Sequence, residues 1–511
     1  MSLVLSIDAG TTGVRAFAVD ENGATRGWSY REFTQHFPHP GWVEHDATEI
    51  WEAVQTTTAE LVAALDEPIA AIGITDQRET VVAWSRSTGR PLHRAIVWQD
   101  RRTAARCDEL AEAGHLPLVR ATTGLVLDPY FSGSKIEWLH RHGGVELGPD
   151  TAIGTIDSWI LWNLTGGTAD AGAVHATDAS NASRTMLFDI GTGAWSDELC
   201  DLFGIPRSVL PDVRPSAGRF GVTTDGFAGG AGIPVSGIAG DQQSALFGQA
   251  CFEVGMTKNT YGTGSFVLMN IGDTLPAPTD GLLTTVAWTL PAAMLGQGAT
   301  GLVTHYALEG AIFATGAAIQ WLRDGLGIIA DAAETGPLAE SVPDSGGVFL
   351  VPAFAGLGSP YWDPYARGTI LGLTRGSGRA QLVRATVESM AYQTRDVVDS
   401  MSAASGKQVK ELRVDGGASV MAVLLRLVAE QLGVPVVRPR LQETTALGAA
   451  YLAGLAEGVW STVAEVSAGW AVDERIEPTV PLGGDRTAID AGYATWQRAV
   501  ERSRSWASDE A

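Results

Sequence analysis

The run Asp8-Ala9-Gly10-Thr11-Thr12-Gly13-Val14-Arg15 gathers a carboxylate, two hydroxyls, a glycine-permitted turn and a guanidinium in one short stretch. A turn of this composition presents backbone N–H groups around one spot, a concavity that suits phosphate oxygens. Asp8 leads into it, placed for a hard cation, and Arg15 leaves it as a fixed positive charge. The same residues also suit a plain hairpin in which the glycines permit the turn and Asp8 caps it. An echo far downstream favours phosphate. Lys258-Asn-Thr-Tyr261-Gly262-Thr263-Gly264-Ser265-Phe266 repeats the order of polar strand, Gly-Thr-Gly turn and apolar strand. A second carboxylate, Asp241, follows the apolar run Pro234–Ala239 and opens a helix-like stretch. It reads either as an N-cap or as a general base at a strand end facing a cleft. Asp415-Gly416-Gly417-Ala418 is a third backbone-lined turn, or a tight connection without a ligand.

These groups need elements that hold them together. Leu3–Ile7 and Ile69–Thr75 read as buried strands, the latter delivering Asp76-Gln77-Arg78-Glu79 at its end. Ala95–Trp98 reads as another strand, ending in Gln99-Asp100-Arg101-Arg102. Polar residues at strand ends are where α/β proteins place ligands, although Arg78-Glu79 in isolation is equally a surface ion pair. Ile50, Val54, Leu61 and Leu65 form a helical stripe over Ala47–Asp66, with Asp46 as N-cap. Tyr130 precedes a short amphipathic helix and is either core or a hydroxyl aimed at a polar ligand. Asn181-Ala-Ser-Arg-Thr-Met reads as a polar loop, and Glu309–Leu322 as a helix with small residues on one face. Gln381–Ser405 is a long amphipathic helix, and Glu443-Thr444-Thr445 caps an Ala/Leu/Gly helix through Leu455. The two hairpins, half a chain apart, point to two related domains facing one nucleotide, 1–250 and 251–511.

At 511 residues the chain is too long for one core. Its formal charge of −23 argues against a nucleic-acid partner, whose phosphates it would repel, but not against a bound nucleotide held by local groups and a metal. Cys107, Cys200 and Cys251 are scattered and fit neither a disulfide framework nor metal-ligand spacing. No apolar stretch approaches membrane-spanning length, and Asp8 interrupts the short apolar run at the start. A cytoplasmic protein with no membrane insertion is the expectation.

The motifs together resemble a family. The two Gly-Thr hairpins and the Asp415-Gly-Gly-Ala turn resemble the actin-like ATPase fold, in which two ribonuclease-H-like α/β domains close on a nucleotide in the cleft between them. Gly41-Trp-Val-Glu-His-Asp, Asp76-Gln-Arg-Glu-Thr, Trp98-Gln-Asp-Arg-Arg and Asp128-Pro-Tyr-Phe-Ser-Gly resemble the FGGY carbohydrate kinases. So do Asn181-Ala-Ser-Arg-Thr-Met, Gly240-Asp-Gln-Gln and Tyr361-Trp-Asp-Pro-Tyr-Ala-Arg-Gly, and within the family the likeness is to members that act on glycerol. The resemblance covers Leu3 to about Trp460.

It implies that Arg78, Glu79, Tyr130, Asp241 and Gln242 hold the three hydroxyls of glycerol, with Trp98 and Phe266 against its carbon chain. Thr11, Thr12, Gly13, Arg15 and Thr263 would contact phosphate, and Gly316, Gln320, Gly417 and Ala418 the ADP part of ATP. Asp8, with Asp241, would hold Mg²⁺, and Asp241 would take the proton from the attacking hydroxyl. Three departures stand out: Ala9 where the family has Gln, Gly13 and Val14 where it has two hydroxyl residues, and Met421 where it has Asn. A kinase for another small polyol or sugar is the alternative. A non-catalytic actin-like regulator is a further one, against which the presence of both Asp8 and Asp241 weighs. A homo-oligomer is left open.

Overall fold

Leu3–Ala9 is buried along nearly its whole length, as an apolar strand covered on both faces must be. In the computed structural model, which describes residues 2–296, 298 and 300–507, this strand (β1) is central to the first of two large sheets. It pairs antiparallel with β2 (Gly13–Val19), and β2 with β3 (Thr25–Glu32). On its other side lies β4 (Ile69–Asp76), parallel to it. An edge strand β5 (Ala217–Val222) runs antiparallel to β6 (Pro234–Gly240), which is parallel to β4. The sheet order is therefore β5-β6-β4-β1-β2-β3.

The second sheet uses β7 (Thr257–Tyr261), β8 (Ser265–Gly272), β9 (Leu283–Pro291), β10 (Leu302–Ile312), β11 (Leu412–Gly416), β12 (Val436–Pro439) and β13 (Val472–Ile476). Its order is β9-β10-β8-β7-β11-β12-β13. The path β10-β8-β7-β11-β12 repeats β3-β2-β1-β4-β6 strand for strand, with antiparallel pairs first and parallel pairs after. The two Gly-Thr turns occupy equivalent places, each joining the first and second strands of its sheet.

Helix α1 (Ala47–Ala63) lays Ile50, Val54 and Leu61 on the first sheet, and its N-cap Asp46 accepts the Thr48 N–H at 2.8 Å. The halves are joined by two further helices, α2 (Asp241–Gly248) and α4 (Thr444–Ala456), while α3 (Arg379–Ser405) backs the second sheet. Although α4 comes late in the chain, it packs on β1, β4 and β6 of the first sheet and crosses α2. The crossing is close enough that a Cβ at Gly248 would fall on the Thr444 carbonyl, and one at Gly448 on the Ser244 carbonyl. No helix among the described residues is long and apolar enough to cross a membrane.

Several elements differ from the sequence expectation. Glu309–Ile312 is the end of strand β10, not helix; the helix begins only at Gly316, after a turn. The small residues there serve β-pairing, since Glu309, Gly310 and Ala311 face Leu268, Val267 and Phe266 of β8. The stretch Asn181–Met186 is not an exposed loop: a short helix covers Ala179–Ala182, and Asn181, Ser183 and Arg184 have no exposure. The strand expected over Ala95–Trp98 spans only Ala95–Ile96 and belongs to a small side sheet with Gln35–His36 and Glu44–His45.

Candidate active site

The carboxyl ends of β1, β4 and β6 lie side by side, with Ala9 opposite Asp76 and Asp76 opposite Gly240. Asp8, Arg78 and Asp241 therefore converge at one edge of the first sheet, where parallel α/β sheets open a crevice. Asp241 is the first residue of α2, with Gly240 in the cap position. Its carboxylate accepts the Gln242 N–H at 2.7 Å, faces Nε of Arg78 at 3.2 Å, and is 30% exposed, so it is tethered yet open to the cleft. Burial pushes Asp8 up to about 7, with Arg15 opposing the shift and Asp241 adding to it. A cation held between the two carboxylates would relieve this repulsion. Among the described residues no group of three or more His, Cys, Asp or Glu could hold a metal. Two carboxylates completed by phosphate and water is the donor set Mg²⁺ accepts.

Around Asp241 a cluster of buried charges fixes Arg78, Glu79, Tyr130 and Gln242. Arg78 donates through Nη1 to Gln243 Oε1 at 3.2 Å and to Glu309, and through Nη2 to the Tyr130 hydroxyl at 3.1 Å and Glu309 Oε1 at 3.2 Å. Arg184 Nε donates to Glu79 Oε1 at 2.7 Å, and its Nη2 to Glu309 Oε1 at 2.8 Å. Burial raises the Glu79 carboxyl while Arg78 and Arg184 pull it down, and Glu79 also has φ 63°, a left-handed backbone costly for a non-glycine residue. For Glu309 the two guanidinium groups outweigh burial and bring it down to about 2. Trp98 and Tyr130 meet edge to face with centroids 5.6 Å apart, and the Arg78 guanidinium sits 5.8 Å from the Phe266 ring centroid. Gln242 is oriented by buried Lys258, whose Nζ donates to Gln242 Oε1 and, at 2.9 Å, to Thr260 Oγ1. Accepting through Oε1 leaves the Gln242 amide NH₂ free to donate.

Residues of the second half line a cavity of about 650 Å³. Thr263, Gly316, Gln320, Gly417 and Ala418 line it, as do Ile319, Val420 and Met421, which make its wall largely apolar. The helix starting at Gly316 is anchored to the second Gly-Thr turn, its Gly316 and Ala317 N–H groups donating to the Gly262 and Thr263 carbonyls at 3.1 and 2.9 Å. The first turn lies apart from this cavity. Thr11 Oγ1 accepts the Trp98 indole N–H at 3.0 Å, Thr12 Oγ1 is 3.4 Å from the Tyr30 hydroxyl, and Arg15 is ion-paired with Glu443 ahead of α4. Gly13 is fully packed: a Cβ there would stand 2.5 Å from the Arg31 carbonyl and 2.6 Å from the Tyr30 hydroxyl.

Two family models cover this arrangement: the N-terminal domain of the FGGY family of carbohydrate kinases matches residues 3–248, and its C-terminal domain matches residues 257–457. The chain belongs to the FGGY carbohydrate kinases. Within the family it is similar to glycerol kinase of Bordetella parapertussis, 52% identical over 98% of this chain and 97% of that one. It is similar also to glycerol kinase 2 of Thermotoga maritima, 53% identical over 99% of each. The crystal structure of Plasmodium falciparum glycerol kinase with ADP superposes with a TM-score of 0.90 at 33% identity, covering 98% of both chains.

For this FGGY kinase, sequence reasoning brought Arg78, Glu79, Trp98, Tyr130, Asp241, Gln242 and Phe266 to one place, and the structure clusters them. It missed Arg184, Glu309, Lys258 and Gln243. Arg184 lies inside the Asn181-Ala-Ser-Arg-Thr-Met motif, and Lys258, one of only four lysines, opens the second hairpin. Glu309 was hidden by the misread helix. Thr11 and Thr12 fall in the first Gly-Thr turn and Arg15 in the strand that leaves it, and each already has a protein partner.

Proposed function

We propose that the protein phosphorylates glycerol with ATP, giving sn-glycerol 3-phosphate and ADP, in a cytoplasmic setting. The observation that carries this is the 52–53% identity, over nearly the whole chain, to proteins named glycerol kinase. The chemistry of the site agrees. A small triol offers little apolar area, so selectivity must come from charged and directional hydrogen bonds, which the Arg78–Glu79–Tyr130–Gln242 group supplies. Trp98 and Phe266 provide the flanking apolar surface for the carbon chain.

Asp241 accepts the proton of the attacking hydroxyl, its carboxylate held by the Gln242 N–H and by Arg78. The polyol reaches Arg78 by displacing one of its neutral partners, Gln243 or Tyr130. Thr11, Thr12, Gly13 and Thr263 offer donors to the phosphates, and Arg15 joins them by exchanging Glu443 for phosphate. Gly316, Gln320, Gly417 and Ala418 bound the nucleotide. Asp8 and Asp241 hold Mg²⁺, which when bound neutralises phosphate charge during transfer. Residues 1–250 thus contribute most of the polyol site and residues 251–511 most of the nucleotide site, with a homo-oligomer left open. The test is a panel of polyols and ketoses with ATP and Mg²⁺, following phosphate transfer. Glycerol is expected to give the highest kcat/KM, and a higher value for another polyol or sugar would replace it as substrate.

A further inference from the structure

Glu309 is fully buried on β10, in the second sheet, yet both cations it holds belong to the first half of the chain. Its two carboxylate oxygens grip both terminal nitrogens of Arg78, and Oε1 also accepts from Arg184 Nη2 at 2.8 Å. A planar guanidinium held at both ends by one carboxylate cannot turn without breaking two charge-assisted bonds. The edge of Arg78 left over is Nε, which faces the Asp241 carboxylate at 3.2 Å. Nε also lies 3.8 Å from Glu79 Oε1, while Gln243 and Tyr130 make neutral hydrogen bonds and fix the plane less firmly.

We propose that Glu309 is a positioning residue for phosphoryl transfer: from the second sheet it fixes Arg78 so that Nε holds Asp241 toward the polyol. The polyol site is then complete only when the two halves stand in this arrangement, because one of its fixed points comes from across the cleft. Arg184, shared between Glu79 and Glu309, ties the same latch to the left-handed turn at Glu79. The inference rests on the reading of Asp241 as general base in a glycerol kinase.

The test compares wild type, Glu309→Gln and Glu309→Asp, varying glycerol and ATP separately and recording a thermal melt for each. Glu309→Gln keeps the shape but removes the charge and turns one accepting oxygen into an NH₂ group, so the two-point grip on Arg78 is lost; kcat/KM for glycerol should fall by roughly 10–100-fold, the scale of loss a misplaced reacting group brings. KM for ATP should stay within about twofold, and Glu309→Asp, which keeps the charge, should recover part of the loss. A Gln variant with wild-type glycerol kinetics overturns the proposal. So does a loss shared equally between glycerol and ATP and explained by the unfolded fraction. If Glu309→Gln does not fold, Glu309→Asp decides by the same criteria; failure of both to fold makes Glu309 a structural residue and also overturns the proposal. A wild type inactive on glycerol would overturn the functional reading, and this inference with it; an active wild type with an indifferent Glu309 overturns this inference alone.

Discussion

Asp241 stands first in its helix, tethered by one backbone N–H and one guanidinium, with the rest of its carboxylate open to the cleft. Asp241→Asn keeps the shape and a hydrogen bond but cannot accept a proton. The expected fall in kcat is about 10²–10⁴-fold, with glycerol affinity far less affected, measurable by single-turnover rates beside equilibrium binding. Turnover close to wild type would reduce Asp241 to a helix-opening residue. At Gly13 the missing hydroxyl is not an empty space, because the Tyr30 phenol and the Arg31 carbonyl occupy it. Restoring a hydroxyl with Gly13→Ser is therefore expected to destabilise the protein by about 1–3 kcal/mol through overpacking, read as a lowered midpoint in urea. Met421 lines the cavity proposed for the nucleotide with an apolar side chain. A new hydrogen bond to the base is worth about 0.5–1.5 kcal/mol, so Met421→Asn should lower the ATP KM by about 2–10-fold and sharpen the preference for ATP over other triphosphates. An unchanged KM and base preference would show that this wall does not read the base.

At the scale of elements, the crossing of α2 and α4 carries the join between halves. Gly248 and Gly448 let the two backbones approach until a methyl group at either would strike a carbonyl of the other helix. Gly248→Ala should push the helices apart and displace the start of α2, where Asp241 sits. The expected result is a lower thermal midpoint together with a reduced kcat, and an unchanged melt with normal kcat would mean the crossing has slack. Strands β1, β4 and β6, the β7–β8 hairpin and helices α1, α3 and α4 were legible in the sequence because their apolar runs have clear lengths and clear breakers. Strand β10 was not: Glu309-Gly-Ala-Ile has small residues and a charge, which read as a helix face. Only its pairing with β8, a tertiary fact, decides it. The buried turn at Asn181–Met186 escaped for a related reason. Its polar composition predicts exposure, and its burial depends on partners distant in sequence, such as Asp76 bonded to Asn181 and Glu79 bonded to Arg184.

At the scale of the molecule, two sheets share one plan, with Asp8 and Asp241 at the carboxyl edge of the first and an apolar cavity lined by residues of the second half. The proposed polyol residues were legible because their motifs resemble those of the FGGY carbohydrate kinases, with Arg78, Glu79 and Asp241 also following buried strands. What joins them was not, since Glu309 and Lys258 reach into the first half from the second. In the proposed reaction the nucleophile, its base and the phosphate turns come together only across the two halves, as in-line transfer requires. The most direct measurement is a product analysis of the purified protein with ATP, Mg²⁺ and glycerol, following ADP, free phosphate and glycerol phosphate together. Coupled transfer predicts that ADP and sn-glycerol 3-phosphate appear in equal amounts, with little free phosphate. ADP formed with free phosphate and no glycerol phosphate, or no turnover at all, would contradict it.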